Sequence, residues 1–414
     1  MLRAEILAIG DELTHGQIQD TNSRYIANLL ERHGVDVARF ATVSDAPDEM
    51  HDVLRESCAR ADLVVATGGL GPTEDDRTRD VVARVAGEPL VVDEPAWQAI
   101  ERRFAAIGRT LSPSNRRQAE RPESARTLGN EWGTAPGFAM HVGRAELFVF
   151  PGVPRELYPM LERHLEPYLM TCEGARPMAF ARLQVIGPPE SVLGERIAEF
   201  MQHGRNPRVG ITASMGVLSV RIAASGDTSD QARDLCEATA AEIRPIVRED
   251  LVCEGLEDIP HHVVERMSAL GLTLATGESC TGGLVAQMVT AVPGASRMFA
   301  GGFVTYQAAR KVADLGVPES LIAAHGEVSP EVAAAMATGA RERAGASIGI
   351  GISGIAGPDG GTPDKPVGFV CFGIDDGRRV TSWSRRLPPL DRGFVRHRAA
   401  VEALAAVLRR LDER

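Results

Sequence analysis

The chain has 414 residues, and 45 Lys and Arg against 56 Asp and Glu leave a formal charge of −11. That length suggests roughly two to four domains, and 44% hydrophobic with 24% charged residues excludes a largely disordered protein. The acidic balance excludes a protein that coats nucleic acid over its whole surface, because phosphate neutralisation needs clustered positive charge.

From the start to about residue 170, apolar runs alternate with helical stretches. Ile6–Ile9 reads as a strand, being too short for a signal-peptide core. Thr21–His33 reads as a helix with Thr21 as N-cap and Gly34 as its stop. Val35–Val43 is extended, 48–60 helical, and Leu63–Ala66 a buried strand. A further strand, Leu147–Phe150, leads through Pro151-Gly152-Val153-Pro154 into a helix reaching about Leu169. Such alternation predicts a parallel sheet with helices on both faces. Residues 171–253 differ: strand 182–186, helix 190–201, a strand pair 209–213 and 217–223, then helix 227–246, a small α+β module. A linker is expected near Glu254–Pro260. In 254–414 the α/β pattern resumes with helix 261–270, strand 272–276, strand 302–306, helices 307–315 and 330–344, strands 348–352, 369–374 and 380–384, and a final helix from about Asp391. The fold class is therefore α/β, two α/β domains joined by a small α+β module.

No apolar run approaches the ~18 residues of a membrane span, so no membrane association is expected. The six cysteines are dispersed without a Cys-x-x-Cys pair, which predicts reduced thiols, no zinc site and a cytoplasmic location. Among the 45 basic residues only Lys311 and Lys365 are lysine.

In open α/β sheets ligands collect beyond the carboxyl ends of the strands. Gly10-Asp11-Glu12, Gly68-Gly69-Leu70-Gly71-Pro72-Thr73-Glu74-Asp75-Asp76 and Pro151–Pro154 occupy such positions. Glycines let backbone N–H groups approach phosphate, and paired carboxylates can hold a divalent cation. Asp75 or Asp76 could equally cap the following helix. In the C-terminal part, Ser279 and Thr281 sit in a glycine-flanked turn after a strand, where a hydroxyl can be exposed as a nucleophile or can cap a helix. The run Ser353-Gly354-Ile355-Ala356-Gly357-Pro358-Asp359-Gly360-Gly361-Thr362-Pro363-Asp364-Lys365 could form a backbone nest for phosphate, with Thr362 and Lys365 nearby.

The segment 68–76, with Gly10-Asp11-Glu12 and Thr134-Ala135-Pro136-Gly137, resembles the N-terminal domain of the CinA family, which is similar to molybdopterin-binding domains. Glu278-Ser279-Cys280-Thr281-Gly282-Gly283, Tyr306 with Lys311, and the glycine-rich loop resemble the family's C-terminal domain. The middle module resembles its KH-like domain, although Gly187-Pro188-Pro189-Glu190 lacks the closing glycine of an RNA clamp, so no nucleic-acid binding is expected. Tyr306-Gln307-Ala308 departs from the family's Tyr-Ser-Asn, and Asp359 stands where a glycine is usual.

The resemblance implies a nicotinamide-nucleotide amidohydrolase that converts nicotinamide mononucleotide to nicotinate mononucleotide and ammonia without a cofactor. Ser279 would be the nucleophile, Lys311 its base and Tyr306 an orienting group. Glu278, Thr281, Gly282, Gly283, Ser353, Gly354, Gly360, Gly361, Thr362 and Lys365 would contact the substrate. An arginine could not replace Lys311 as base, because its guanidinium stays protonated. Cys280, the stronger nucleophile in principle, lacks an activating histidine in its own loop. For the N-terminal domain the resemblance implies divalent-metal-dependent ADP-ribose pyrophosphatase activity. Gly68, Gly69, Gly71 and Thr73 would hold phosphate, and Asp75, Asp76 and Asp11 the metal. A homodimer is the family expectation, and a non-catalytic adaptor to a recombinase is the alternative function.

Overall fold

A computed structural model describes residues 2–172 and 176–413. These form two compact units, Met1–Ala179 with Ala224–Leu235, and Phe180–Ala223 with Cys236–Arg414. The middle module is thus divided between them instead of standing apart.

In the first unit a six-stranded sheet runs Asp36–Val43, Arg3–Ile9, Leu63–Thr67, Ala145–Phe150, Gly137–Val142, Arg126–Leu128. The first four strands are parallel and the last two antiparallel. The expected parallel sheet is therefore only part of the answer. Gly143-Arg144 is too short to carry a crossover, so the chain between 142 and 145 can only turn back on itself. Every residue of Leu63–Thr67 is buried, as a central parallel strand covered on both faces requires. The helix after Phe150 reaches past Leu169 as expected, but with one irregular turn inside it. It runs Pro154–Met160, widens into a π turn at Leu161–Leu165 and resumes at Glu166–Thr171. Pro167 lacks the N–H that an unbroken ladder would use there. The first long helix is Asn22–Arg32, and Thr21 makes no side-chain cap bond. Asp20 does that work, its Oδ1 accepting from the Ser23 amide at 2.9 Å.

The middle sheet is ordered Arg208–Ser214, Val217–Ser225, Met178–Val185, Leu251–Glu254. Its last strand falls where the sequence suggested the approach to a linker, and pairs antiparallel with Leu183–Val185. Val252 and Ile186 belong to the same apolar core as the C-terminal helices and sheet, which explains why most of this module joins the second unit.

The C-terminal sheet runs Phe299–Val304, Leu274–Glu278, Ile348–Gly354, Phe369–Asp375, Val380–Arg386. Its first three strands are parallel and the others antiparallel. One face is covered by helices Ile259–Ala269 and Arg392–Asp412. Against the other lies helix Pro330–Ala344, held unusually close by missing side chains. A Cβ on Gly349 would sit 2.1 Å from the Ala337 carbonyl oxygen, and one on Gly351 2.2 Å from that of Ala333. Both neighbours are backbone and cannot swing aside. Among the described residues no helix is long and apolar enough to cross a membrane.

Candidate functional site

In the first unit, the carboxyl ends of Arg3–Ile9, Leu63–Thr67 and Ala145–Phe150 open on a cavity of about 570 Å³. Gly68, Gly69, Gly71, Asp75 and Asp76 line it, while Thr73 and Asp11 do not. The loop is braced from within. Asp76 Oδ1 accepts from the Gly71 amide at 2.7 Å, and Oδ2 from the Thr73 amide at 2.9 Å and the Thr73 hydroxyl. The Gly68 amide donates to Phe150 O at 3.0 Å. Three of the N–H groups expected to cradle phosphate, those of Gly68, Gly71 and Thr73, are therefore engaged by the protein itself. At Gly68 (φ +106°) a Cβ would lie 2.1 Å from Ile9 O, so close packing alone requires this glycine. Beneath the loop the buried Arg79 guanidinium donates to Leu70 O at 2.6 Å and Gly71 O at 3.1 Å. Burial pushes it down to about 10.

Two of the three expected metal ligands are engaged by the protein itself. Asp76 is the loop's brace, and Asp11 forms a reciprocal pair with Asp45. The Asp11 amide donates to Asp45 Oδ2 at 2.9 Å, and the Asp45 amide to Asp11 Oδ1 at 3.1 Å. Among the described residues no three His, Cys, Asp or Glu side chains form a group able to hold a metal. Asp45, which the sequence did not single out, lines the cavity. Burial first, and then the Asp11, Glu12 and Asp75 carboxylates, hold its carboxyl above the usual range, outweighing the Asp11 amide bond.

The second site is a chamber of about 300 Å³ in the C-terminal domain, lined by Ser279, Cys280, Tyr306, Lys311, Glu327, Val328, Ser353, Gly354, Ile355, Ala356 and Gly360. Ser279 directly follows strand Leu274–Glu278, and its amide donates to Ile352 O at 2.9 Å, fixing the turn to the neighbouring strand. Gly282 (φ +61°) and Gly283 (φ +89°) turn the chain into helix Leu284–Thr290. Glu278 is that helix's cap, taking the amides of Val285 at 3.1 Å and Ala286 at 3.0 Å. It is therefore a structural carboxylate, not the substrate contact expected from the sequence. The Gly282 amide is bonded to Ser279 O at 3.0 Å and is not free for an oxyanion. Thr281 is buried with its hydroxyl unpartnered, and its carbonyl accepts from Arg396 at 2.8 Å.

Lys311 lies on the inner face of the short helix Ala308–Leu315 and is only 1% exposed. Its amine donates to Glu327 Oε2 at 3.1 Å and to Tyr306 O at 3.5 Å. Tyr306, beyond the end of its strand, is half-exposed, and its hydroxyl accepts from Arg392 at 2.7 Å. Arg392 also donates to Gly357 O at 2.6 Å, tying tyrosine and glycine-rich loop together. Ser353 donates to Glu327 O at 2.6 Å.

Two expectations change here. Lys365 does not present its amine to a ligand. It donates to His325 O at 2.9 Å and Val328 O at 2.8 Å, while Thr362 Oγ1 accepts the Lys365 amide at 3.1 Å. Lys365 and Thr362 are a clasp between the glycine-rich loop and the 325–328 turn, and neither they nor Gly361 line the chamber. Cys280 is 4% exposed, and burial pushes its thiol up to about 12. A thiol raised that far loses the thiolate character that makes a cysteine the stronger nucleophile. Glu327 and Arg392 were missed. Each is brought in by a separate turn or helix, and no local spacing announces either.

Over 419 aligned residues the chain is 42% identical to the "Putative competence-damage inducible protein" of Symbiobacterium thermophilum, covering 99% of this chain and 98% of that protein. The chain belongs to the CinA family. Residues 5–171 match the probable molybdopterin binding domain, 181–252 the damage-inducible protein CinA KH domain, and 256–411 the CinA C-terminal domain. A "CinA-like protein" of Anaeromyxobacter sp. (strain Fw109-5) is 44% identical, over 97% of this chain and 98% of its own. Among solved structures, that of the competence/damage inducible protein CihA from Agrobacterium tumefaciens is 34% identical, covering 38% of this chain and 97% of its own, with a TM-score of 0.36.

Proposed function

We propose that the C-terminal domain of this CinA-family chain hydrolyses the carboxamide of nicotinamide mononucleotide, releasing ammonia and nicotinate mononucleotide. The observation that carries this reading is one small chamber lined by both a near-buried serine hydroxyl and a fully buried lysine amine. Amide hydrolysis needs a nucleophile and a group to take its proton, and the chamber offers one of each. Ser279 attacks the carboxamide carbon and Lys311 accepts the hydroxyl proton, later returning it to the departing ammonia. Tyr306, held by Arg392, forms the rim over which a nucleotide would lie. Purified full-length protein incubated with nicotinamide mononucleotide should release equimolar ammonia, and Ser279→Ala should release none. Equal turnover by Ser279→Ala would reject the assignment.

The N-terminal cavity supports a second reading, binding of a nucleoside diphosphate such as ADP-ribose. Its position at the strand ends and its size suit that ligand. Among the described residues the carboxylates do not form a metal ligand set, so this reading is one of binding. Calorimetric titration with ADP-ribose, with and without magnesium, tests this reading, and absence of heat in both would reject it.

A further inference from the structure

Lys311 poses a problem of proton supply. Its side chain is 1% exposed, so its amine has little direct contact with bulk water. The charged group it touches is Glu327, whose side chain is 48% exposed and lines the same chamber. A buried ammonium needs a compensating charge, and a base needs somewhere to send the proton it already carries. Glu327 meets both needs.

The turn bearing Glu327 is fastened from three directions. Ser353 holds the Glu327 carbonyl at 2.6 Å. Lys365 holds the carbonyls on either side, His325 at 2.9 Å and Val328 at 2.8 Å. Ser329 donates to Gly326 O at 3.1 Å and caps helix Pro330–Ala344 by accepting the Val332 amide at 3.3 Å. Ordinary surface turns do not need a lysine clasp, and such bracing fixes where a carboxylate stands relative to its partner.

We propose that Glu327 is a positioning and proton-accepting residue for Lys311, linking the buried amine to solvent. The inference rests on the serine–lysine reading above. As Ser279 Oγ bonds to the carboxamide carbon, its O–H bond breaks and the proton passes to Lys311 Nζ. One N–H proton of the amine passes at the same time to Glu327 Oε2, and the carbonyl electron pair moves to oxygen. Collapse of that adduct breaks the C–N bond, and ammonia leaves with the proton returned through Lys311. Water then hydrolyses the acyl-enzyme by the same route, so one amide and one water give one carboxylic acid and one ammonia.

The test is Glu327→Gln, which keeps an oxygen acceptor for Lys311 but cannot take up a proton, with Glu327→Asp as the conservative control. Turnover of nicotinamide mononucleotide should fall about 10²-fold in Glu327→Gln, at the low end of general acid–base effects, with KM within a factor of about two. Turnover and the rate of Ser279 labelling should recover in Glu327→Asp, which restores a carboxylate, as a merely structural role filled equally by an amide would not require. Charged and titratable groups around the carboxylate are Lys311 from its helix, Lys365 from the glycine-rich loop, Tyr306 from the chamber rim, and His325 with Glu331 from its own segment. Labelling of Ser279 by a fluorophosphonate, in which an Oγ–P bond replaces P–F, reads nucleophile activation without any assumed substrate. If wild type ignores nicotinamide mononucleotide but labels at Ser279, and labelling slows in Glu327→Gln, the substrate assignment fails and the role of Glu327 stands. Unchanged turnover and labelling in Glu327→Gln, or no labelling of wild-type Ser279, overturns the proposal.

Discussion

Lys311→Arg keeps the cation and removes the base. The buried amine has two acceptors, Glu327 Oε2 at 3.1 Å and Tyr306 O at 3.5 Å, and a guanidinium can reach the same two oxygens. Ion pairing therefore survives, while a larger group enters a site only 1% exposed. Overpacking of that kind costs about 1–3 kcal/mol, which lowers Tm but leaves a folded protein. Loss of a group able to be neutral removes general-base catalysis, worth about 10²–10⁴-fold in kcat. Lys365→Arg is the matched comparison, because a guanidinium can still hold the His325 and Val328 carbonyls, and its kcat should stay within about tenfold of wild type, since no general-base group is lost there. Ammonia release in a coupled assay, alongside thermal unfolding of both variants, separates the two effects. Near-wild-type kcat in folded Lys311→Arg would refute the serine–lysine chemistry, because no guanidinium gives up a proton at working pH.

Cys280 should resist iodoacetamide at pH 8 in the native protein, since burial pushes its thiol up to about 12, and Cys280→Ala should keep most of its turnover; mass spectrometry of labelled peptides decides the first point. Asp76→Ala should destabilise the first unit by about 2–4 kcal/mol, because the Gly71 and Thr73 amides and the Thr73 hydroxyl lose a charged acceptor; urea titration reads the loss, and an unchanged midpoint would contradict the bracing role. For Asp376, burial acts upward, but the amides of Arg379 and Arg378 and the Arg410 guanidinium prevail and lower its carboxyl to about 2. A depressed carboxylate stabilises the fold above its unfolded value and loses that contribution as pH falls toward the folded one. Asp376→Asn should therefore cost about 2 kcal/mol at pH 7, with the difference from wild type shrinking between about pH 4 and pH 2.

How much of this was legible in the sequence follows from where the information resides. Leu63–Ala66 and Ile348–Ile352 could be read because a central strand is apolar on both faces, and the pattern is local. Leu251–Glu254, ending where a linker is expected near Glu254–Pro260, carries no strand signal because a four-residue edge strand has no period, and only its pairing with Leu183–Val185 defines it. The contrast between the two lysines shows the same limit at the site. Both were marked by being the only amines among the arginines, yet composition cannot say whether an amine faces a cavity or a carbonyl. Lys311 faces the chamber, and Lys365 holds a turn. Asp76 was marked as a ligand or a cap, and hydrogen bonds to its own loop decide for a brace. Glu327 could not be found because its partner is sixteen residues away, with helix Glu319–His325 between them.

The glycines beneath helix Pro330–Ala344 act as a spacer of zero thickness. The helix begins just past the turn that carries Glu327, so the gap between sheet and helix sets how far that carboxylate stands from Lys311, which is carried by a different helix. An alanine at Gly351 would press on the Ala333 carbonyl and the Ala337 amide and raise the helix as one body. The chamber's geometry would change with no chamber residue replaced. Loss of turnover from a single methyl group on a strand, with secondary structure intact, is the signature this arrangement leaves.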